Sequence, residues 1–365
     1  MVNFFGKNLK EVMKIISPIF IEPKSTSLTI GISKRFFLFS LIKSLTKKIE
    51  NDPFLNFVSI LKHYKVLGKF LYGNIEEFYR ERNKPYFRRF FINKEIYQAI
   101  KDDLEWVYER NPNLRLTITK WGVIIYDNYK KNCFNTLLVT IHSGFVMPKE
   151  IGNKQTLTRS QRMILEDTDI QKIYSDLVLK KNGIWIDTKL SRFACDYNRS
   201  PTRAIYRDGS EDWFGELWKK SLTKSQRNWL LKGYAEFYFT LNHLIDTYRF
   251  NLIFDGHSMK DGPNRPGISF GTKYIPKFYM PVVKSMQRRL QRMGYREVVF
   301  DKPFSGGHIL EWLHKKFPDI FIFSIEINKR LYMNKDQRHS SRIKLKELRN
   351  DITQIFDIDE QDFES

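Results

Sequence analysis

The segment that most constrains this chain is Asn251 to Met259, N-L-I-F-D-G-H-S-M. Leu252, Ile253 and Phe254 form a short apolar run, and Asp255, His257 and Ser258 follow it. An apolar run closed by polar groups reads as a buried strand of a parallel sheet, where neither face has to meet water. Open α/β sheets bind ligands just past the carboxyl ends of such strands. A second histidine-serine pair, His142-Ser143-Gly144, closes another apolar run, Thr136 to Ile141. Two strand ends that each present a histidine to one edge of a sheet make the arrangement a metal site needs.

Composition sets outer bounds. A chain of 365 residues accommodates one large domain, or a core domain with an accessory one. Its formal charge of +21 attracts polyanions, and a plain basic surface explains the same number equally well. The two cysteines, Cys133 and Cys195, exclude a disulfide framework and a cysteine-rich zinc knuckle, and they fit a reducing compartment. No run approaches the roughly 18 apolar residues of a membrane span. The N-terminus, with Lys7, Lys10, Glu11 and Lys14, lacks the apolar stretch and cleavage site of a secretory signal. The expectation is a soluble, cytoplasmic protein without a transmembrane segment.

Three regions follow. Residues 1–115 form a basic, mostly helical N-terminal region, with helical spacing in Leu9-Val12-Met13-Ile16, Leu55-Val58-Leu61 and Ile96-Ile100-Leu104-Val107. Basic and aromatic residues interleave from Tyr79 to Phe91, a pattern suited to stacking bases and also to arginines lying over an aromatic core. Residues 116–345 have α/β texture. Strand-like runs occur at Leu116–Ile118, Val123–Tyr126, Thr136–Ile141, Leu252–Asp255, Glu297–Phe300 and Ile320–Ile327, with helices expected at Trp213–Leu222 and Ser225–Thr247. Gly256 to Gly271 reads as a long functional loop. Residues 346–365 are expected to be an acidic tail.

Taken singly, the chemical candidates are ordinary. A strand-end histidine is more often a hydrogen-bonded structural residue than a ligand. The cluster Glu166-Asp167-Thr168-Asp169 also fits a solvated helix start, and Arg192, Arg199 and Arg203 also fit surface charges. Glu326 differs, because it lies inside the apolar run Ile320 to Asn328. A carboxylate there has to be paired, ligating or functional, since burying it alone is expensive.

The order of these pieces is more informative than any one of them. Glu166-Asp167-Thr168, Asp196-Tyr197-Asn198-Arg199 with Pro201, Gly267 to Thr272, Pro303 to Gly307, and Glu326-Ile327-Asn328 through Leu331-Tyr332-Met333 together resemble the N-formylglutamate amidohydrolase family over about residues 134 to 335. The resemblance implies an α/β fold: a mixed sheet flanked by helices, with a phosphorylase/hydrolase-like, zinc-carboxypeptidase-like core, to which the mostly helical N-terminal region, outside the resemblance, is an extension. It also implies a metal-dependent hydrolase of C–N amide bonds, using Zn2+ and acting on an N-acylated, carboxylate-bearing amino acid or peptide. On the matching motifs, His142, Asp167 and His257 fall on the metal ligands, with Glu166 and Asp169 as alternatives to Asp167. Glu326 falls on the general base, and Asn198 and Arg199 on the pair that holds a substrate carboxylate. Gly306 and Gly307 fall on a loop at the rim.

Two imidazoles and one carboxylate leave zinc an open fourth position. Arg192 is the preferred partner for a tetrahedral oxyanion, Arg203 is a further candidate facing substrate, and Asp255 suits orienting the His257 imidazole and equally suits capping the strand end. The basic N-terminal region is expected to recruit an acidic macromolecule. The competing reading is a nucleic-acid-binding protein on a degenerate hydrolase fold, and a peripheral membrane enzyme ranks behind both.

Overall fold

The computed structural model describes residues 135–180, 183–206, 216–248 and 250–357, preceded by 71–73, 114–118, 123–128 and single positions between 99 and 111. The helical stretches expected before residue 71, the Tyr79–Phe91 segment and the acidic residues after 357 lie outside the described residues.

Among the described residues nine strands form one mixed sheet. In chain order they are β1 (Leu71–Gly73), β2 (Leu114–Ile118), β3 (Val123–Asn128), β4 (Thr136–Thr140), β5 (Gly183–Thr188), β6 (Leu252–Met259), β7 (Ile268–Gly271), β8 (Val298–Phe300) and β9 (Phe321–Asn328). Their spatial order is β1-β2-β3-β5-β4-β6-β9-β7-β8. The middle, β5-β4-β6-β9, is parallel, whereas β3 joins β5 and β7 joins β9 antiparallel. Every residue of β5 and β6 is buried, as expected of inner strands covered on both faces, and this includes the polar Asp187, Asp255, His257 and Ser258.

Helices α1 (Lys149–Gly152), α2 (Arg159–Leu165), α3 (Ile170–Tyr174) and α4 (Asp176–Leu179) connect β4 to β5, and α5 (Lys224–Tyr248) connects β5 to β6. The chain therefore leaves β4 toward one neighbour and returns to the other, so β4 lies at a reversal of strand order. A crevice opens past the carboxyl end of a strand at such a switch point. His142 is two residues beyond the end of β4. Helices α6 (Met280–Arg292), α7 (His308–Lys316) and α8 (Arg342–Ile355) complete the layers. Among the described residues no helix is long and apolar enough to cross a membrane.

Local chemistry accounts for the helix starts. Thr158 caps α2 in a capping box with Gln161, satisfying two amides that the first turn leaves without partners. At α5 Thr223 accepts from the Gln226 amide at 3.2 Å, and the Gln226 side chain accepts from the Thr223 amide at 3.0 Å.

Several expectations are corrected. The run Trp213–Leu222 is not helical where it is described: Trp218 instead forms a bridge to Gln155, and its indole donates to the Tyr206 carbonyl at 3.0 Å. Strands β1, β5 and β7 are additional, and β7 shortens the loop expected from Gly256 to Gly271. Strand β6 continues through His257 to Met259, because β9 pairs with it residue for residue along its whole length. The boundary drawn after residue 345 falls inside α8, whose Leu345, Leu348, Ile352 and Ile355 are buried against the core. The boundary drawn at 115 is also crossed. Residues 99, 103, 106, 107, 109 and 110 are helical, Val107 is fully buried, and the Trp106 indole donates to Ser175 Oγ at 3.1 Å.

Candidate metal centre

The crevice at the end of β4 collects His142, Asp167 and His257, all buried, with ligating atoms within 4.8 Å of one another. Each comes from a different element. His142 follows β4, and its carbonyl accepts the Asp167 amide at 3.0 Å, which sets the loop after α2 against the strand end. His257 is in β6, and its ring centroid lies 4.8 Å from that of His142. Asp167 Oδ2 accepts from His257 Nδ1 at 3.1 Å and from the Ser258 amide at 3.1 Å, and it lies 3.9 Å from His142 Nδ1.

The neighbouring carboxylates point elsewhere. Glu166 accepts from the Ser191 hydroxyl and from Arg162 Nε at 3.3 Å. Asp169 accepts from Ser340 at 2.8 Å and pairs with Lys172 at 2.7 Å. Of the three acidic residues in that cluster, Asp167 is the one that faces the imidazoles.

Both imidazoles turn the same nitrogen inward. Each Nδ1 is directed at Asp167 Oδ2, while each Nε2 meets a buried carboxylate, Asp196 Oδ1 at 2.7 Å for His142 and Asp255 Oδ2 at 2.8 Å for His257. A carboxylate on the outer nitrogen fixes ring orientation and makes the inner nitrogen a better donor to a metal.

The electrostatics of the two rings differ. Burial lowers the His142 pKa, and the Arg192 guanidinium adds to that effect. Burial acts downward on His257 as well, but Asp255 and Asp167 outweigh it and hold this imidazole well above its ordinary value. Burial opposes ionisation of Asp196, yet Arg192, His142 and the Tyr206 hydroxyl hold its carboxyl well below the usual range.

Glu326 lies directly beside His257 in the β6·β9 register, and it is the one residue of β9 that is not fully buried. Burial pushes its carboxyl up to about 8, with Asp167 and Asp255 adding to the shift against the pull of His257. Ser269 of β7 lies opposite it on the other side.

Segment 191–206 forms a basic wall. Arg192 Nη2 donates to Asp196 Oδ2 at 2.9 Å and to the Tyr206 hydroxyl at 3.2 Å. Arg199 lies 3.6 Å from Asp196 and 4.8 Å above the Tyr206 ring, and Arg203 is exposed. Asn198 places its side-chain nitrogen 3.3 Å from His257 Nε2, while its Oδ1 accepts the Ile309 amide at 3.0 Å. Asn198 thereby ties this wall to the start of α7. Gly307 has to be glycine for that contact, since a Cβ there would sit 2.2 Å from Asn198 Oδ1. Gly306, at φ +127°, turns the rim loop in a conformation that side chains disfavour.

Three contributors escape a reading of the sequence. Asp196 and Tyr206 orient His142 and Arg192 through contacts that no spacing rule announces. Lys329 is buried, and its ammonium donates to the carbonyls of Met163, Ile164 and Glu166 at 2.7, 2.8 and 2.5 Å. It caps the carboxyl end of α2 just ahead of Asp167, and burial lowers its pKa to about 8. The only sequence signal was a lysine directly after the apolar strand β9.

A family model described as N-formylglutamate amidohydrolase matches residues 134–333. The N-formylglutamate amidohydrolase from Ralstonia eutropha JMP134 superposes with a TM-score of 0.52 at 16% identity, covering 64% of this chain and 95% of that one. The Atu2144 gene product of Agrobacterium tumefaciens gives 0.47 at 17% identity, covering 64% and 94%. A metallo-carboxypeptidase from Burkholderia cenocepacia gives 0.36 at 9% identity, covering 71% and 69%. No curated protein matches the sequence. The family match spans more than half of the 365 residues and contains His142, Asp167, His257 and Glu326, and the chain belongs to the N-formylglutamate amidohydrolase family.

Proposed function

We propose that this protein is a zinc-dependent hydrolase that cleaves the amide bond of an N-acylated amino acid or peptide bearing a free carboxylate. The observation that carries the reading is the inward convergence of two imidazole Nδ1 atoms on Asp167, each ring backed by its own carboxylate. This donor set, two nitrogens and one oxygen, fits a divalent ion of zinc type, which takes a fourth ligand beyond such a triad. His142, held neutral, has a lone pair to offer at Nδ1, and His257 has to release a proton first.

When bound, the ion polarises the scissile carbonyl and lowers the pKa of a water molecule beside it. Glu326 accepts the proton of the attacking water and delivers it to the amine nitrogen as the C–N bond breaks. Its carboxyl, raised to about 8 in the metal-free protein, is a stronger base than an ordinary glutamate once ionised, and a cation held beside it would favour the ionised form. Arg192, fixed by Asp196 and Tyr206, supplies positive charge for the oxyanion without having to reorganise. Arg199 grips the substrate carboxylate in fork geometry, assisted by the Asn198 amide nitrogen and the rim at Gly306 and Gly307. Arg203, further out, meets the remainder of a longer substrate. The basic residues of 1–115 recruit an acidic macromolecule to this mouth.

Elemental analysis of wild type beside His257→Ala tests the metal, with about one zinc per chain expected in the first and little in the second. A panel of N-formyl, N-acetyl and N-succinyl amino acids tests the substrate class. The proposal fails if none is hydrolysed by zinc-loaded protein.

A further inference from the structure

A second buried charge network adjoins the metal centre, and it begins outside the part of the chain that the family match covers. Asp103, 4% exposed, belongs to the helical segment ahead of β2. Its carboxylate pairs with the ammonium of Lys189, which pairs in turn with Asp187. Lys189 and Asp187 are 2% and 0% exposed. Asp187 Oδ1 accepts from Ser143 Oγ at 2.7 Å and from Thr140 Oγ1 at 3.0 Å, and these residues bracket the turn that presents His142. The other oxygen of Asp103 accepts from Gln171 Nε2 at 3.2 Å, and Gln171 lies in α3, the helix directly after Asp167. One carboxylate thus reaches two of the three backbone segments that carry candidate ligands.

The helical segment does not need Asp103 to stay docked. Trp106 donates to Ser175, and Asn111 donates to the Leu179 carbonyl at 2.9 Å. The guanidinium carbons of Arg110 and Arg349 lie 3.0 and 4.9 Å from the Trp106 ring centroid. Arg110 and Arg349 also both pair with Asp176, at 3.3 and 3.2 Å. A buried acid held between an ammonium and an amide is costly to keep unless both bonds are made, and it restricts whatever those bonds hold.

We propose that Asp103 is a positioning residue for the metal centre, fixing the His142 turn through Lys189 and Asp187 and the helix behind Asp167 through Gln171. Its consequence for the ion rests on the metal reading given above, whereas the restraint on the two segments does not. The test uses the full chain. Hydrogen exchange of the metal-free protein reports peptides covering 140–144 and 166–171, and competition with a chromophoric chelator reports zinc affinity. Asp103→Asn is expected to speed exchange in both peptides and to weaken zinc binding about 10-fold, the size seen when an indirect support of a metal ligand is lost.

Trp106→Phe, which removes the Ser175 bond from the same helical segment, is the control for simple loss of stability. It should lower the unfolding midpoint while leaving exchange at 140–144 and zinc affinity within about twofold of wild type, the scatter expected of an indirect contact. Unchanged exchange at 140–144 in Asp103→Asn, an equal rise in Trp106→Phe, or faster exchange with unaltered zinc affinity would each overturn the proposal. If wild type binds no zinc, the metal reading falls, and the exchange measurements alone decide whether Asp103 restrains the two segments. Should Asp103→Asn not fold, Gln171→Met removes one arm only. Faster exchange confined to 166–171 then supports the proposal, and none overturns it.

Discussion

The ends of β4 and β6 present the same side chain to the same crevice, yet the charges around the two imidazoles are balanced differently. Around His142 lie Arg192 and Asp196, whose carboxylate is shared with that guanidinium and with Tyr206. Around His257 lie Asp167, Asp255 and Glu326. Burial therefore prevails at His142, whose pKa is lowered, and the acids prevail at His257, whose pKa is raised. The lesson is that a ligand's readiness follows from the net charge of its neighbours, since burial alone would push both rings in the same direction.

The sharpest way to break this comparison is to remove the acid beside His257. Glu326→Gln keeps the shape of the side chain and should leave zinc content intact while turnover falls about 10²–10⁴-fold, the range for loss of a general base. Metal loss in that variant would make Glu326 a ligand and recast its role. Next come the outer carboxylates. Asp196→Asn and Asp255→Asn should each weaken zinc binding about 10- to 100-fold. The two should differ in proton linkage: calorimetry in buffers of different ionisation enthalpy should find about one proton released per zinc near pH 6.5 in wild type and in Asp196→Asn. Asp255→Asn should release less, because His257 then starts with less of its proton. Equal release in all three proteins would remove the asymmetry.

The smallest effect is on the stability of the metal-free protein. Glu326 has a folded value near 8 against an ordinary 4.5, so between those pH values the folded state holds more protons than the unfolded one. Stability contributed by this group is complete below pH 4.5 and falls as pH rises to 8. His257, also raised, acts in the same direction from about pH 6.5 upward. Urea midpoints taken from pH 5 to 8 should decline, and the decline should be shallower in Glu326→Gln.

What the sequence disclosed divides along physical lines. His142 and His257 stood out because each follows an apolar run that can only be an inner strand, and Glu326 because an acid inside such a run demands a reason. Asp196 could be quoted within a motif but not given its partner, since its bonds to His142 and Tyr206 depend on how loop 191–206 folds back. Strand β5, Gly183–Thr188, mixes a glycine, a tryptophan and an aspartate, and Asp187 breaks the apolar run because it serves the Lys189 network. Strand β7 has four residues inside a glycine- and proline-rich stretch, and it exists because β9 offers it an edge. The helix expected at Trp213–Leu222 was an error of periodicity, as Leu217 and Trp218 are buried by a bridge to Gln155.

The cap that Lys329 places on α2 has a consequence for the order in which the protein can be made. Met163, Ile164 and Glu166 leave the ribosome early, but the ammonium that satisfies their carbonyls is encoded more than 160 residues later, in the same late stretch as Glu326. A nascent chain can assemble β4, β5 and β6 and still leave the carboxyl end of α2 without the ammonium that satisfies it. The candidate site is thus completed only when β9, the last of the described strands, and the lysine directly after it have emerged.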